Sequence, residues 1–192
     1  MKPLADNVLR MNWGNINFYK HWLAQSYYYT RHSTRMLAYA AGWTGPEKQN
    51  YYRRSVQHIQ EEQGHDLIAL NDLKLIGGSI LEHPELSVTR ALWEPQFYKI
   101  QKNPTTLLGY ILALEVLALQ MCQPMYEMLL KNYPAEACRF VKVHAEDDPE
   151  HVEHALAQIE RCSLEEREEI IANFHQTRDM YSLFLQAIQK LE

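Results

Sequence analysis

The chain has 192 residues, a net charge of −5 and a hydrophobic fraction of 46%, and these values predict one globular domain spanning residues 1–192. No run of Lys or Arg stands out, so nothing indicates nucleic-acid binding. We expect neither a signal peptide in residues 1–10 nor a membrane span. The most apolar stretch, from Thr106 to Met121, carries a glutamate and falls short of roughly 20 residues. The three cysteines form no CxxC pair, which favours a reduced, cytoplasmic protein.

Helical periodicity runs through the chain, and no segment alternates convincingly with a period of two. Glycine and proline pairs mark the joints, and Ser163 with Glu166 forms a capping-box pattern. The sequence therefore predicts an all-α fold. The predicted helices run approximately from Asn17 to Ala41, Pro46 to Ile76, Leu86 to Ile100 with a break near Glu94-Pro95, Pro104 to Lys131, Ala135 to Arg161, and Ser163 nearly to the end.

Glu115 lies in the most apolar of these helices, with leucine, alanine and valine on every helical face around it. A lone ionised carboxylate in such surroundings is unfavourable by several kcal/mol unless it is paired, protonated or bound to a metal. An ion pair with arginine or a contact with tyrosine is the ordinary explanation. A metal ligand or catalytic acid is the alternative.

The fifth predicted helix carries His144, Asp148 and His151. Offsets of four and three residues place these side chains along one helical stripe, where they can converge on one centre. Two imidazoles and a carboxylate suit iron, manganese or zinc, although a dense run of acids and histidines is more often a solvated surface. Asp147 and His154 lie to one side of the stripe and are predicted to face solvent or to support the ligands.

The second predicted helix carries Glu62 and His65, an acid three residues before a histidine. Such a pair on a bundle helix can form an inward-facing, carboxylate-bridged metal site, but by itself it arises often by chance. Glu61 and His58 lie within reach of the same face. Gly64 weakens a helix by about 1 kcal/mol relative to alanine, which a close approach of another helix or a ligand would explain.

Taken together, three predicted helices supply three carboxylates and three imidazoles. This mixed oxygen and nitrogen set is suited to two redox-active metals. None of these candidate ligands is a cysteine, so a structural zinc site is not indicated, and the three histidines argue against a dedicated magnesium site. The candidate metal ligands are Glu62, His65, Glu115, His144, Asp148 and His151.

The order Glu-x-x-His, a lone Glu about fifty residues later, and His-x3-Asp-x2-His resembles the haem-oxygenase-like di-iron oxidases and oxygenases. These iron-containing redox enzymes are related to the thiaminase II and pyrroloquinoline quinone synthase folds. The resemblance covers most of the chain and implies a compact haem-oxygenase-like bundle of about six to seven helices, usually a homodimer. It implies two non-haem irons that bind O2, held by the six residues above, with Glu61 as a possible substitute for Glu62. Family reactions include fatty-acid decarboxylation, N-oxygenation of amines, and desaturation or C–C cleavage of amino acids.

The resemblance therefore implies an O2-dependent oxidase or oxygenase acting on a small amine, amino acid or carboxylic acid. No lysine occurs between Lys102 and Lys131, which argues against the para-aminobenzoate-forming branch of the family. Two alternatives stay open. One is a metal-free enzyme of the thiaminase type using a cysteine nucleophile, with Cys122 or Cys138 available. The other is a helical protein that binds iron without catalysis.

Two features of the first predicted helix have ordinary explanations. Its aromatic residues most simply pack in the core, although they could also form a pocket wall beside the metals. Arg31 and Arg35, one turn apart, could clamp a substrate carboxylate, but such residues more often make surface ion pairs.

Overall fold

The computed structural model describes residues 1–191, with the side chain of Asp147 and all of Glu192 outside the description. Within residues 1–191 there are nine α-helices and no β-strand, which confirms the predicted all-α class with more helices than the six or seven expected. The helices are α1 (Lys2–Leu9), α2 (Ile16–Thr30), α3 (Ser33–Trp43), α4 (Gln49–Glu62), α5 (His65–Leu75), α6 (Ser87–Lys102), α7 (Leu107–Leu129), α8 (Arg139–Ile159) and α9 (Leu164–Gln189).

Two long predicted helices are each divided into two. The first is interrupted at Arg31-His32, where the His32 ring stacks on Trp93 of α6 with ring centroids 3.7 Å apart. The second is interrupted at Gln63-Gly64, because Gly64 has a φ of +95°, a left-handed conformation that glycine adopts without steric penalty. Glu62 therefore ends α4 and His65 begins α5, so the Glu-x-x-His pair spans a joint rather than one helix.

The predicted break near Glu94-Pro95 is wrong, because α6 continues through Pro95. Residues on either side hold this helix against its neighbours. Leu92 and Gln96 are buried, and the Gln96 side chain is hydrogen-bonded to Asn173 of α9. By contrast, the capping box at the start of α9 is confirmed, since Ser163 and Glu166 exchange both expected hydrogen bonds.

Helix α7 runs through the centre of the bundle and packs mainly against α8 and α9. By length and composition, the segment Pro104–Leu129 is long and apolar enough to cross a membrane, although the apolar stretch identified in the sequence was too short. In the fold, 67% of its most apolar window is buried. Gly109 lies directly against the α9 backbone, since a Cβ there would approach the Ile170 carbonyl oxygen to 2.2 Å. This close contact fixes the position of α7, and with it the position of Glu115.

Candidate metal centre

Charged and imidazole side chains from four helices meet beside α7. The end of α4 contributes His58 and Glu62, the start of α5 contributes His65, and the middle of α7 contributes Glu115. Helix α8 contributes the remaining acids and histidines. All six sequence-predicted ligands therefore lie in or against one cluster.

Glu62 lies between two imidazoles. Its Oε1 is 3.7 Å from His58 Nε2, and its Oε2 is 3.6 Å from His65 Nδ1. Burial raises the pKa of Glu62, but the two neighbouring imidazoles outweigh burial and hold that pKa well below its usual range. Glu62 is thus an ionised carboxylate with one oxygen directed towards His58 and the other towards His65.

Glu115 lies deeper in the cluster. Its Oε1 is 3.5 Å from His58 Nε2 and 3.9 Å from His151 Nδ1, and neither of its oxygens has a hydrogen-bond partner among the described residues. Burial, followed by the nearby carboxylates of Asp148 and Glu62, raises the pKa of Glu115 well above its usual range. The ordinary explanation, a salt bridge to arginine, does not apply, because no arginine in the described chain forms an ion pair with it.

Helix α8 directs one stripe into the cluster, as its sequence spacing predicts. Asp148 and His151 are buried, and Asp148 Oδ1 lies 3.6 Å from His151 Nδ1. His144 Nδ1 lies 2.7 Å from the Phe140 carbonyl oxygen, so Nδ1 donates to the carbonyl, and Nε2 is the nitrogen that could bind a metal. The His144 ring lies 5.1 Å from the His65 ring, centroid to centroid.

His58 is the residue that the predicted ligand set left out. Its donor atom and those of Glu62 and His151 all lie within 4.8 Å of one another, a spacing that can hold one metal ion. The available sequence signal was its position one turn before Glu62, on the same helical face.

Glu61 has a different environment from Glu62. Its carboxylate pairs with Arg54 Nη1 at 2.8 Å and lies 3.4 Å from His151 Nε2. Burial raises the pKa of Glu61, but the Arg54 guanidinium outweighs burial and lowers that pKa. Glu61 therefore lies on the outer side of the cluster, where its charge is already offset by arginine.

The chemistry of these donors fits a bound metal. Several buried polar atoms have no hydrogen-bond partner within residues 1–191, a situation that is unfavourable unless something else satisfies them. Hydrogen bonding to a main-chain carbonyl, as His144 shows, is the usual support for a metal-bound imidazole. The unpartnered atoms that face the cluster include Glu115 Oε1 and Oε2, Asp148 Oδ2, His58 Nε2 and His151 Nδ1.

A cleft opens beside the cluster, with a volume of about 800 Å³ when the space at its open mouth is included. His58, Glu62, Glu115, His144 and Asp148 form its polar end. Apolar and aromatic side chains form most of the rest of its wall, including Trp22, Tyr29, Met36, Leu114, Phe140 and Tyr181. Aromatic residues of the first predicted helix thus serve both the core and the pocket wall.

The other candidates lie away from this cleft. Arg31 pairs with Glu85 at 3.3 Å, as the ordinary explanation predicts, and Arg35 donates to the Arg31 carbonyl. Neither arginine lines the cleft, so the alternative of a substrate carboxylate clamp is not supported. His154 lies 3.8 Å from Glu150 and is partly exposed. The prediction for Asp147 concerns a side chain outside the described part of the chain.

Two solved structures with similar folds cover 98% of this chain. One is a domain of unknown function with a haem-oxygenase-like fold from Shewanella denitrificans, with 21% identity, a TM-score of 0.85 and 84% of that chain covered. The other is a TenA homologue from Pseudomonas syringae pv. tomato, with 14% identity, a TM-score of 0.79 and 89% of that chain covered. At these identities the likeness shows the fold, which is haem-oxygenase-like. No curated protein matches the sequence.

The sequence itself matches a family model over residues 20–183, described as that of an iron-containing redox enzyme. This match includes α4, α5, α7 and α8, the four helices that form the cluster. It therefore covers every candidate ligand. The chain belongs to the family of iron-containing redox enzymes.

Proposed function

We propose that the protein is an O2-dependent, non-haem di-iron oxidase or oxygenase acting on a small organic substrate. The observation that carries the proposal is the position of Glu62, whose two oxygens face His58 and His65 respectively. A carboxylate placed between two imidazole groups is suited to bridge two metal ions. The reaction classes proposed are N-oxygenation, desaturation and oxidative C–C cleavage.

Six residues are proposed to hold the irons. Their mixed carboxylate and imidazole donors suit redox-active metals rather than magnesium or a structural zinc ion. When bound, the iron supplies the redox chemistry that activates O2. The proposed ligands are Glu62, His65, Glu115, His144, Asp148 and His151.

The chain's own residues prepare the site in two ways. The hydrogen bond from His144 to the Phe140 carbonyl fixes the imidazole tautomer and orientation. The apolar wall of the cleft, with Phe140 and Leu114 beside the cluster, excludes water and strengthens electrostatic interactions at its polar end.

The cleft wall narrows the substrate class. No lysine or arginine lines the cleft among the described residues, so a substrate carboxylate that does not bind the metals would be buried without a cationic partner. The Tyr110 hydroxyl lines the cleft, is buried and has no hydrogen-bond partner within residues 1–191, so it is available to a polar group of the substrate. Apolar amines or acids with a single polar group therefore fit better than zwitterionic amino acids.

Iron content and O2 consumption test this function. Anaerobic titration with ferrous iron should show about two bound iron equivalents per chain, because carboxylate and histidine sites in such bundles hold two metal ions. Decylamine and decanoate should then accelerate O2 uptake more than 2-aminodecanoate, which adds a second charge to the same chain length. Binding of one zinc or of no iron would contradict the di-iron proposal. Two bound irons whose O2 uptake responds to no substrate would favour the non-enzymatic alternative.

The thiaminase-type alternative has one specific observation in its favour, since Cys122 lines the same cleft. Burial, assisted by the Asp148 carboxylate, raises the pKa of this thiol well above its usual range, which disfavours the nucleophilic thiolate. Cys122→Ala separates the two functions. Retention of iron and O2 uptake supports the oxidase, whereas loss of a thiamin-cleaving activity with iron unaffected supports the alternative.

A further inference from the structure

His58 is a buried histidine whose role no ordinary hydrogen bond explains. It lies on α4 one turn before Glu62, and its side chain is 8% exposed. Its Nε2 has no hydrogen-bond partner in the described chain. Two carboxylate oxygens and the His151 ring surround it, with the two imidazole centroids 4.9 Å apart.

The separations around Nε2 are too long for hydrogen bonds and suit a shared ion. Nε2 lies 3.5 Å from Glu115 Oε1 and 3.7 Å from Glu62 Oε1. Two donors bound to one tetrahedral ion at about 2.1 Å lie roughly 3.4 Å apart. A buried imidazole nitrogen left without a hydrogen bond is unfavourable, and the carboxylate oxygens around it favour a bound cation.

We propose that His58 is a seventh protein ligand of the metal centre, on the side of Glu62 that faces Glu115 and His151. This inference rests on the proposed di-iron function and adds a residue to its ligand set. Without His58, that side has one imidazole, from His151, whereas the other side has two, from His65 and His144. With His58, each side has two imidazoles and both share Glu62.

A neutral imidazole also changes the properties of the metal position that it joins. It adds a donor without adding negative charge to a cluster that already contains Glu62, Glu115 and Asp148. The affinity for a divalent cation on this side then depends on nitrogen donation as well as on carboxylate charge. Removal of His58 should therefore weaken one metal position selectively.

The test compares His58→Gln with His83→Gln in anaerobic ferrous titrations. His83 is an equally buried histidine that contacts another imidazole, with its ring 4.4 Å from that of His21, but it lies outside the cluster. His58→Gln should bind one iron normally and the other at least about tenfold more weakly, and His83→Gln should bind both like the wild type. In His58→Gly, added imidazole should restore the weakened position.

Normal binding of both irons by folded His58→Gln would overturn the proposal. If the variants fail to fold, the wild type decides the question through 15N-labelled histidine in the zinc-loaded protein. Four metal-bound imidazole nitrogens support the proposal, and three contradict it. Failure of the underlying di-iron binding is distinguishable, because wild-type protein would then bind fewer than two irons in the same titration. Failure of the oxidase activity alone would appear as absent substrate-dependent O2 uptake with both irons bound.

Discussion

At the scale of single residues, the neighbours Glu61 and Glu62 differ in what they contact. Glu62 faces two imidazoles, whereas Glu61 is paired with Arg54. We expect Glu62→Gln to lose most of the iron on both sides, because the carboxylate that is proposed to bridge the two irons becomes a neutral amide. Glu61→Gln should keep close to two equivalents. Metal analysis after anaerobic loading makes the comparison, with circular dichroism as the folding control. Equal losses in both variants would contradict the bridging role.

Spacing alone was enough to predict which candidate ligands share one helical stripe. His144, Asp148 and His151 follow from offsets of three and four residues on α8. The choice between Glu61 and Glu62 could not be made in this way, since both lie within one turn of His65. His58 lies one turn before Glu62 on the same face, but its contacts with Glu115 of α7 and His151 of α8 could not be predicted from spacing within one helix.

At the scale of elements, the joint between α4 and α5 depends on one left-handed residue. Gly64 has a φ of +95°, and its missing Cβ would meet open space, so Gly64→Ala adds backbone strain rather than a clash. We expect a loss of about 1–2 kcal/mol in the free energy of unfolding together with weaker iron binding, because His65 would shift relative to Glu62.

The matched control for this joint is Gly42→Ala. Gly42 lies near the end of α3, has open space around it and has no left-handed φ. This variant should be neutral or stabilise the protein by about 0.5–1 kcal/mol. Urea unfolding of the metal-free proteins measures both effects. A Gly64→Ala variant as stable as Gly42→Ala would show that the joint tolerates an ordinary residue.

Helices α5 and α8 are tied together by Asp72. Its Oδ2 accepts a 2.7 Å hydrogen bond from the Phe140 N–H in the first turn of α8, four residues before His144. Burial raises the pKa of Asp72 from 3.8 to about 6, against the opposing effect of the Phe140 hydrogen bond. The folded state thus binds this proton more tightly than the unfolded state does. The stability contributed by the protonated form is fully present below pH 3.8 and is lost as pH rises through about 6.

Asp72→Asn should therefore remove that part of the pH dependence while keeping an acceptor for Phe140. We expect it to be more stable than the wild type at pH 7, with the difference shrinking towards pH 4.5. Asp72→Ala loses the cap and should be less stable than Asp72→Asn by about 1 kcal/mol at either pH. Urea unfolding of metal-free protein provides the measurement. A constant difference between wild type and Asp72→Asn across this range would show that Asp72 does not titrate there.

Helix α8 continues through Pro149, which has no N–H to donate to the Ala145 carbonyl and is unfavourable in a helix interior by about 3 kcal/mol. Acidic neighbours, including Glu146 and Glu150, add repulsion on adjacent turns. We expect amide hydrogen exchange across residues 140–155 to be fast without metal and slower with ferrous iron, because the cation offsets these charges. Equal, strong protection in both states would mean that the bundle holds the segment without metal.

The all-α class was predictable because the apolar period of 3.6 residues persists. Helix α1, the interruptions at His32 and Gly64, and the continuity of α6 through Pro95 were not predicted. At the interruption at His32, the imidazole stacks on Trp93 of α6, a residue that is distant in sequence but close in space. The proline in α6 would end an isolated helix, yet buried neighbours such as Gln96 hold the helix in place. Tertiary contacts therefore decided both cases against local propensity.

At the scale of the whole molecule, metal binding should stabilise the fold by mass action. Donors from four separate helices converge on the cluster, so they are assembled only in the folded state, and a ligand held at 100 times its Kd adds about 2.7 kcal/mol. We expect ferrous iron to raise the unfolding temperature of the wild type by several degrees. Glu62→Gln should show little increase. The same shift in both proteins would indicate binding elsewhere.

Light scattering on the same samples measures whether the homodimer implied by the family resemblance forms.

The joint at Gly64 also bears on how long a bound ion stays. Because Glu62 ends one helix and His65 begins the next, their separation is set by the torsions of Gln63 and Gly64 rather than by a helical turn. Rotation about these few bonds would move α5 away from α4 while the hydrogen bonds within both helices stay intact. Departure of an ion is then a hinge motion on the microsecond-to-millisecond scale of such movements rather than an unfolding event. The rate of metal release would then be set by this hinge motion and would not depend on the concentration of a chelator in solution.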